Sequence, residues 1–489
     1  MAQITVKNLS FAYEGSHDLI FDRVSFRFDT DWKLGFIGRN GKGKTTFLRL
    51  LMGQEEYSGE ILSSGVQFDY FPFVVEEKER RALEVAEEIC PLLQLWQLQK
   101  ELSLLEVDEE ILYRPFSSLS NGEQTKLLLA VLFLRDNHFL LIDEPTNHLD
   151  RKGRSVVSKY LSRKNGFLLV CHDRAFLDGC IDHVLCINRA NIQVQQGNFS
   201  SWQQNKEYQD RFEQGEHEKL EQEVGRLARA ARQKEGWSRK AERGKYGNGS
   251  VDKGYIGHKA SKMMKRAKSA EKRQEKALEA KKSLLKNIET TAELKMHTLS
   301  HFSSVLVRAE ELCICYQNRA ATPKLSWKIE QGERVRLEGK NGAGKSSILK
   351  LIAGERLQYT GRLELASGLR ISYVPQDTSF LKGNLFRYAK EQKVCESLLL
   401  AILRKLDFPR VQFEKDMENF SGGQKKKVLL ATSLCQQAHL YLWDEPLNFI
   451  DVISRMQIEQ VILQYAPTML FVEHDSAFGD AIATRTICL

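Results

Sequence analysis

The order of apolar and polar residues along the chain predicts the same succession of elements twice. Apolar and polar residues alternate over 4–11 and 24–28, which is typical of strands with one buried face. A continuous apolar run at 34–37 then enters a glycine-rich loop, and the following residues carry an apolar helical face from Phe47 to Leu51. Because this strand, loop and helix recur in the second half, the pattern favours an α/β fold with largely parallel sheets.

Four short motifs recur at almost constant separation. Lys44 and Lys345 occupy equivalent places in the two glycine-rich loops, 301 positions apart. The other recurring pairs are Asp143-Glu144 with Asp444-Glu445, the segment from Ser120 with the segment from Ser421, and His172 with His474. A fixed period over this distance indicates a tandem duplication. We therefore predict a first domain over residues 1–199 and a second over residues 304–489.

The segment between the halves, residues 200–303, has a different pattern. Mixed charges at helical spacing predict two long helices, over 206–243 and 259–297, joined by a glycine-rich tip at 244–257. Twelve Lys and Arg face three acidic residues between positions 236 and 273, whereas the whole chain is only +8. A basic surplus with interleaved aromatic residues favours an RNA contact, and the alternative is a solvated coiled-coil spacer. The candidate RNA-binding residues are Lys245, Tyr246, Lys253, Tyr255, Lys259, Lys262, Lys265 and Arg266.

Composition narrows the class of protein. The 489 residues are 42% hydrophobic and 28% charged, which is ordinary for a globular chain of two or three domains. No apolar run is long enough to predict a membrane span, and the first residues do not resemble a signal peptide. The nine cysteines are scattered without metal-site spacing, so we expect reduced thiols and a cytoplasmic protein.

The glycine-rich loops have the composition of a phosphate site. Their glycines let backbone N–H groups face a phosphate, and the following helix adds its positive end. Lys44 and Lys345 are predicted to reach the β- and γ-phosphates of ATP, and Thr45 and Ser346 to bind Mg²⁺. The other candidate nucleotide-binding residues of the loops are Gly38, Asn40, Gly41, Gly43, Thr46, Gly339, Asn341, Gly342, Gly344 and Ser347.

Two carboxylates follow a buried apolar strand in each half. Asp143 and Asp444 are positioned at the rim of the predicted sheet to hold Mg²⁺, and the adjacent Glu144 and Glu445 to polarise the attacking water. The histidines at 172 and 474 each follow an apolar strand and precede an aspartate. We predict that His172 and His474 sense the γ-phosphate; the alternative is a solvated or core imidazole.

Together these motifs resemble the ATP-binding-cassette superfamily over both halves. The segments Ser120-Asn121-Gly122-Glu123-Gln124 and Ser421-Gly422-Gly423-Gln424 are similar to the signature sequence of that family. The resemblance implies that each signature faces the glycine loop of the other half, with two ATP molecules between them. It adds as candidate nucleotide-binding residues Ser120, Gly122, Glu123, Ser421, Gly422, Gly423 and Gln424. Tyr13 and Tyr316 are candidates for adenine stacking, or alternatively pack under their strands.

One position departs from the family pattern. Gln376 matches the metal-contacting glutamine of the family, but Phe73 stands at the equivalent place in the first half. Because a phenyl ring cannot coordinate Mg²⁺, we expect the two ATP sites to be unequal.

Two cassettes joined by a long helical linker resemble the ABC-F group, and the segments 443–448 and 252–259 are similar to its Lsa/Vga-type antibiotic-resistance branch. This resemblance implies a ribosome-binding ATPase that protects the large subunit from lincosamides, pleuromutilins and streptogramin A. The implied partners are large-subunit rRNA and the tRNA acceptor end, with the two cassettes of one monomer forming an intramolecular dimer and no membrane partner. The alternatives are a general translation factor, the ATPase subunit of a transporter, or a DNA-repair or chromosome-organising ATPase.

Overall fold

The computed structural model describes residues 2–13, 19–63, 65–147, 149–187, 192–209, 294–316, 319–340 and 342–489, and positions 211, 212, 215, 219, 222, 226, 265, 269 and 272. The chain divides into two compact units. One unit holds both halves of the duplication, and the other comprises residues 188–191 and 201–290. In the second unit, residues 201–209 are helical, whereas the predicted glycine-rich tip lies outside the described residues.

The first half alternates strands and helices after an N-terminal hairpin, as its apolar pattern predicts. Its elements in chain order are β1 (Gln3–Phe11), β2 (Phe21–Asp29), β3 (Lys33–Ile37), α1 (Lys44–Leu51), β4 (Ser58–Leu62), β5 (Gln67–Phe71), α2 (Ala82–Ile89), α3 (Leu95–Leu104), α4 (Asn121–Leu132), β6 (His138–Asp143), α5 (Arg151–Ser162), β7 (Phe167–Val170), α6 (Arg174–Cys180), β8 (His183–Ile187) and β9 (Ile192–Gln196).

The second half repeats this plan. Its elements are β10 (Val305–Tyr316), β11 (Arg319–Ala320), β12 (Leu325–Glu330), β13 (Arg334–Glu338), α7 (Lys345–Ile352), β14 (Gln358–Leu365), β15 (Ile371–Val374), α8 (Leu385–Glu391), α9 (Glu396–Lys405), α10 (Gly422–Cys435), β16 (Leu440–Asp444), α11 (Val452–Tyr465), β17 (Met469–Val472), α12 (Ser476–Ile482) and β18 (Arg485–Cys488).

The two halves have matching sheet topologies within the described part of the chain. The main sheet of the first half has the order β5-β6-β7-β3-β8-β9, and that of the second half β15-β16-β17-β13-β18. All neighbouring strands are parallel except β8 and β9. A smaller antiparallel sheet, built on β1 or β10, accompanies each main sheet. The predicted α/β fold with two tandem cassettes is confirmed.

The topology places the candidate chemistry at one edge of each main sheet. In a parallel sheet the carboxyl ends of the strands share an edge, and ligands bind in the crevice outside it. The glycine loop follows β3, Asp143 ends β6, and His172 follows β7. Strand β6 pairs with β7 so that Asp143 lies opposite Val170, which brings the carboxylates and the histidine together.

Apolar burial explains why these elements form. Phe47 and Leu48 of α1 are fully buried in a cluster with Ile4 of β1 and Phe36 of β3, so the helix fills the space between the two sheets. In the second half, Trp443 is fully buried and its indole N–H donates to Ser433 Oγ at 3.0 Å. Each such side chain contributes roughly 1.5–3 kcal/mol to stability when it leaves water.

Both flanks of the segment between the halves are fixed to the folded unit. Ser200 N donates to Asp178 Oδ1 of α6 at 2.7 Å. At the other flank, Leu294 is buried in the core of the second half, and Tyr441 Oη lies 2.9 Å from the carbonyl oxygen of His297. Although we assigned residues up to 303 to the linker, 294–299 pack with the second half, since Leu299 N also bonds to Ala438 O at 2.9 Å.

Candidate active sites

The glycine loops adopt a conformation that only glycine permits. Gly43 precedes α1 with a φ of 94°, and a Cβ there would lie 2.5 Å from Ile20 Cγ2. Gly344 precedes α7 with a φ of 85°, and its Cβ would lie 2.3 Å from Thr322 Cγ2. The left-handed glycines turn the chain directly into the helix, so the loop faces the positive end of the helix.

The two loop lysines are held by neutral oxygen atoms. Lys44 Nζ donates to the carbonyl oxygens of Gly38 at 2.7 Å and Arg39 at 3.2 Å. Lys345 Nζ donates to Gly339 at 2.8 Å and to the carbonyl of residue 340 at 2.9 Å. Burial lowers the pKa of both lysines, and nearby carboxylates oppose this effect. The ammonium groups thus point into the loops, where a phosphate would supply the missing negative charge.

The residues predicted to hold magnesium lie together in each half. Thr45 Oγ1 donates to Asp143 Oδ2 at 3.0 Å, and Ser346 Oγ donates to Asp444 Oδ1 at 3.1 Å. Burial raises the pKa of Asp444 to about 6 and also raises that of Asp143. The other oxygen of Asp444, Oδ2, is buried without a hydrogen-bond partner in the described structure. A hydroxyl beside an unsatisfied carboxylate oxygen fits Mg²⁺, which would neutralise charge on the phosphates.

Each predicted catalytic glutamate lies against its predicted histidine. Glu144 Oε1 is 3.1 Å from His172 Nε2, and Glu445 Oε1 is 3.3 Å from His474 Nε2. Both glutamates have positive φ angles, 53° and 45°, which are uncommon for residues other than glycine. The backbone N–H of Glu144 bonds to Val170 O and holds it in this conformation. Strained backbone at such a position is typical of residues whose side chains must be aimed.

The surroundings of the two glutamates differ. Glu445 Oε2 accepts from Gln376 Nε2 at 2.8 Å and from Asn448 Nδ2 at 2.6 Å. Burial raises the pKa of Glu445, but the hydrogen bonds from His474, Gln376 and Asn448 outweigh burial and lower it. For Glu144, burial and the neighbouring Asp143 raise the pKa to about 8.

The histidine of the first half responds to the same burial. Burial first, and then the charge of Lys44, lower the pKa of His172 well below its usual value. A neutral imidazole therefore lies beside a carboxyl group whose pKa is raised. The Glu144 carboxyl group is thus buried among charged groups of both halves, whereas the Glu445 carboxylate of the second site is held by three side-chain hydrogen bonds.

The signature of the second half lies against the glycine loop of the first. Asn40 Nδ2 donates to the carbonyl oxygen of Phe449 at 2.7 Å, and Lys42 Nζ lies 3.6 Å from Asp407 Oδ2. A Cβ on Gly423 would lie 2.6 Å from Phe449 O and 3.5 Å from Asn40 Nδ2. The close approach explains why glycine is required at this signature position. Gly422 lies beside the ring of Phe449.

The signature of the first half and the glycine loop of the second line one cavity. Its volume is about 840 Å³, sufficient for a nucleotide. The predicted residues that line it are Ser120, Gly122, Glu123, Gly342, Gly344, Lys345, Ser346, Ser347, Gln376, Glu445 and His474. The arrangement thus places residues from both halves around each candidate site, as the family resemblance implied.

Two predicted signature residues have a further contact that explains their type. Glu123 Oε2 accepts from the backbone N–H of Ser120 at 2.8 Å, while Ser120 Oγ accepts from Glu123 N. Ser421 and Gln424 form the same reciprocal cap at α10. These capping boxes satisfy N–H groups at the helix start and fix where each signature begins.

The remaining predicted residues are placed as follows. Tyr13 Oη lies 2.9 Å from Thr46 Oγ1, and the Tyr13 ring packs edge-on against Phe11 beside the first glycine loop. Gly41 has a φ of 78°. Tyr316 ends β10, but its side chain, like Asn341, lies outside the described residues. The RNA-binding candidates also lie outside them, apart from Lys265, which is helical and exposed.

Several residues that contact these sites are absent from our sequence predictions. Tyr70 Oη donates to Asp143 Oδ2 at 3.1 Å, and Asn448 bonds to Glu445. The repeat could have identified these residues. Tyr70 recurs as Tyr373 and Asn147 recurs as Asn448, at nearly the separation of 301 positions that relates the two halves.

Curated proteins of similar sequence match along nearly the whole chain. The Ribosome protection protein VmlR of Bacillus subtilis is 28% identical over 97% of this chain and 84% of its own length. The ATP-binding protein Uup of Buchnera aphidicola is 25% identical over 98% of this chain and 79% of its own. The chain is homologous to these ABC-F proteins.

Solved structures share the architecture. The archaeal ribosome recycling factor aABCE1, crystallised with the ribosomal stalk protein aP1, matches with a TM-score of 0.64 and 20% identity over 98% of this chain and 87% of its own. The RNase-L Inhibitor matches with a TM-score of 0.63 and 19% identity over 99% and 87%. At this identity the likeness concerns the fold. Among the described residues, no helix is long and apolar enough to cross a bilayer.

The raised pKa of Glu144 predicts a pH-dependent stability. The group ionises at about pH 8 in the folded chain but near 4.5 when unfolded, so the folded state binds more protons in between and loses stability as pH rises. Glu144→Gln should therefore raise the thermal unfolding midpoint of nucleotide-free protein in EDTA, more at about pH 9 than at about pH 6.

Glu445→Gln is the matched control for this measurement. Because the pKa of Glu445 is lowered, its ionised form stabilises the fold above its ordinary pKa of 4.5. Its replacement should lower the midpoint by a similar amount at both pH values. If the increase in unfolding midpoint caused by Glu144→Gln does not grow with pH, the raised pKa of Glu144 is contradicted.

The exchange of Phe73 for glutamine tests whether the sites are unequal. Phe73 is partly exposed, so Phe73→Gln should fold, and we expect it to speed single-turnover ATP hydrolysis at the first site. The reciprocal Gln376→Phe should slow the second site by about tenfold, since it removes a donor to Glu445. Each site is measured with the other disabled, by Glu445→Gln or Glu144→Gln. Equal parental rates, unaffected by either exchange, would refute inequality.

The model of one protein family matches both halves. The ABC transporter family model matches residues 21–147 and 323–448, which hold both glycine loops, both acidic pairs and both signatures. Those are also the residues that converge on the two candidate sites described above. With two such ATP-binding domains in tandem, the chain belongs to the ABC transporter family and is an ATPase.

Proposed function

We propose that this ATPase acts on the ribosome in the cytoplasm and protects its large subunit from antibiotics. The observation that carries the proposal is the 28% identity to the Ribosome protection protein VmlR over 97% of this chain. A match of that extent includes the segment between the halves as well as the cassettes. The basic surplus of that segment, twelve Lys and Arg against three acids over 236–273, supports an RNA contact.

Binding and hydrolysis of ATP at the two sites shared by the halves set when the protein binds and leaves the ribosome. ATP and Mg²⁺ bound between a glycine loop and the opposite signature add attraction between the halves, so nucleotide binding closes the interface. Glu144 and Glu445 polarise the attacking water, and the charge that holds the interface is lost when phosphate leaves. The closed form binds the ribosome, and hydrolysis releases it.

The linker supplies the contact. Its basic residues bind large-subunit rRNA phosphates, and the residues near Tyr246 and Tyr255 act at the tRNA acceptor end and the peptidyl-transferase centre. Occupation of that region displaces lincosamides, pleuromutilins and streptogramin A, which belong to the Lsa/Vga-type spectrum. The two cassettes of one monomer suffice, and no membrane partner takes part.

Sedimentation with ribosomes tests the proposal. The Glu144→Gln/Glu445→Gln protein binds ATP but hydrolyses it slowly, so we expect it to accumulate with the large subunit and the intact ribosome in a sucrose gradient containing ATP and Mg²⁺. Lys44→Ala/Lys345→Ala in the same background is the control and should stay at the top of the gradient. If the trapped protein also stays at the top, the ribosomal proposal fails.

Drug susceptibility tests the specific branch. Expression in a susceptible bacterium should raise the inhibitory concentrations of lincosamides, pleuromutilins and streptogramin A. Reversing the charges of Lys262, Lys265 and Arg266 should abolish this effect and flatten the salt dependence of ribosome binding. The same charge change at three exposed positions of the second half, Lys382, Arg387 and Lys390, is the control and should preserve protection.

A protein that binds ribosomes in the gradient but leaves all three drug classes unaffected would instead be a general translation factor. That result would remove the antibiotic part of the proposal and leave the ribosomal part standing.

A further inference from the structure

An arginine at the start of α5 in the first half contacts two acids of the second half. Arg151 Nη1 donates to Glu338 Oε1 at 2.5 Å, and Arg151 Nη2 lies 3.9 Å from Asp480 Oδ2. The hydrogen bond from Arg151 lowers the pKa of Glu338 despite partial burial. Arg151 follows Asp150, which caps α5, so the contact joins the helix start of one half to β13 and α12 of the other.

A second arginine continues this contact into the protein. Arg336 of β13 is buried, and its Nη1 donates to Asp480 Oδ1 at 3.0 Å. Its Nη2 donates to the backbone carbonyl oxygen of Glu473 at 3.0 Å. Asp480 thus accepts from Arg336 and lies close to Arg151. The guanidinium of Arg336 holds the backbone immediately before His474.

The loop held by Arg336 is the one that aims the catalytic pair. Glu473 Oε1 accepts from the backbone N–H of His474 at 2.8 Å, and Glu473 Oε2 accepts from Leu447 N at 3.2 Å. His474 in turn lies 3.3 Å from Glu445. A cavity of about 250 Å³ lies beside these groups, lined by Arg151, Arg336, Lys345, Glu473 and His474 among others. The network therefore borders the second site directly.

Among the residues that the structure describes, the first half has no equivalent of the Arg151–Asp480–Arg336 network. The residues at the positions of Arg336 and Glu338 are Gly35 and Ile37, and the counterpart of Glu473 is Cys171. A Cβ on Gly35 would lie 2.5 Å from Ile181 Cδ1, so that space is filled by an apolar side chain. The counterpart of Arg151 in the second half is Val452, which is buried.

The counterpart of Asp480 in the first half serves a different contact. Asp178 accepts from Ser200 N at 2.7 Å. The path through Arg151, Asp480 and Arg336 is therefore specific to the second site, whereas the histidine loop of the first half is followed by Arg174, which donates to Glu459 of the second half.

We propose that Arg336 and Asp480 are positioning residues of the second ATP site, which transmit the position of Arg151 in the first half to His474. When the halves are closed, Arg151 anchors Asp480, Asp480 orients Arg336, and Arg336 fixes the carbonyl of Glu473, so that His474 faces Glu445. When the halves separate, Asp480 loses its partner across the interface. Hydrolysis at the second site then depends on closure through this path, which does not reach the first site.

Site-resolved kinetics of the full-length protein test this inference. Asp480 is exposed, so Asp480→Asn should fold, and thermal unfolding checks that it does. In the Glu144→Gln background we expect Asp480→Asn to slow single-turnover hydrolysis at the second site by at least about fivefold, because a displaced catalytic group loses rate steeply. ATP affinity should change less than about twofold, because the glycine loop is untouched. In the Glu445→Gln background, the first-site rate should be unaffected.

Two further variants separate positioning from general damage. Arg151→Gln should slow the second site similarly, and its combination with Asp480→Asn should be no slower than either alone, since both break one path. Glu418→Gln removes an equally exposed acid from another surface ion pair of the same half and should change neither rate. The inference is overturned if Asp480→Asn leaves the second-site rate within about twofold, slows both sites equally, or adds fully to Arg151→Gln.

The test does not require ribosomes or antibiotics. Its failure would therefore leave the proposed function untouched, and a failure of the proposed function would leave the network in place.

Discussion

Charged groups that are buried where the two halves meet are the constraint on which both sites depend. Lys44 of the first half is buried close to Asp451 and Lys427 of the second, and both charges influence its pKa. Burial raises the pKa of Glu144 in the first half, and the charge of Arg455 of the second half opposes this rise. A buried charge is tolerated only when it is paired and hydrogen-bonded. The charge balance of each site is therefore set by the two halves together.

Ion pairs within and between the halves support this arrangement. Lys427 Nζ contacts Asp451 Oδ2 at 3.0 Å, and Arg455 contacts Asp475 Oδ2 at 3.0 Å, with all four side chains buried. Across the interface, Arg174 of α6 donates to Glu459 of α11. Removing one partner from a buried pair costs about 3–5 kcal/mol, so mutations here would disturb the interface and the sites together.

The duplicated halves share geometry but have diverged in chemistry. Equivalent backbones place Glu144 and Glu445 similarly, yet Glu144 is buried beside Asp143 and Lys44, whereas Glu445 accepts three side-chain hydrogen bonds. The substitutions that cause this, such as Phe73 for Gln376, lie in the loops around a retained strand. The scaffold constrains the direction of each carboxylate, and the surrounding loops set how readily it ionises.

The sequence predicts the parts of the sites that depend on local chain order. Gly43, Asp143 and His172 follow strands whose apolar runs identify them, and parallel topology brings such residues to one edge. Contacts made by side chains distant in sequence had no such signal. Arg336 lies at a polar position of a strand whose polar and apolar residues alternate, which gives no sign of a special role. Its partner Asp480 is 144 residues away. The capping role of Gln424 was hidden by its place in a nucleotide-binding motif.

The attachment of the inter-half segment has a mechanical consequence. At one flank of that segment, Ser200 is hydrogen-bonded to α6, the helix that starts directly after His172 and Asp173. At the other flank, His297 accepts a hydrogen bond from Tyr441 of β16, the strand that ends in Asp444. Each flank is thus held by an element next to a predicted site residue, His172 in the first half and Asp444 in the second. A displacement of one half against the other would therefore change the separation of Ser200 and His297, the two flanks that are held to the folded unit.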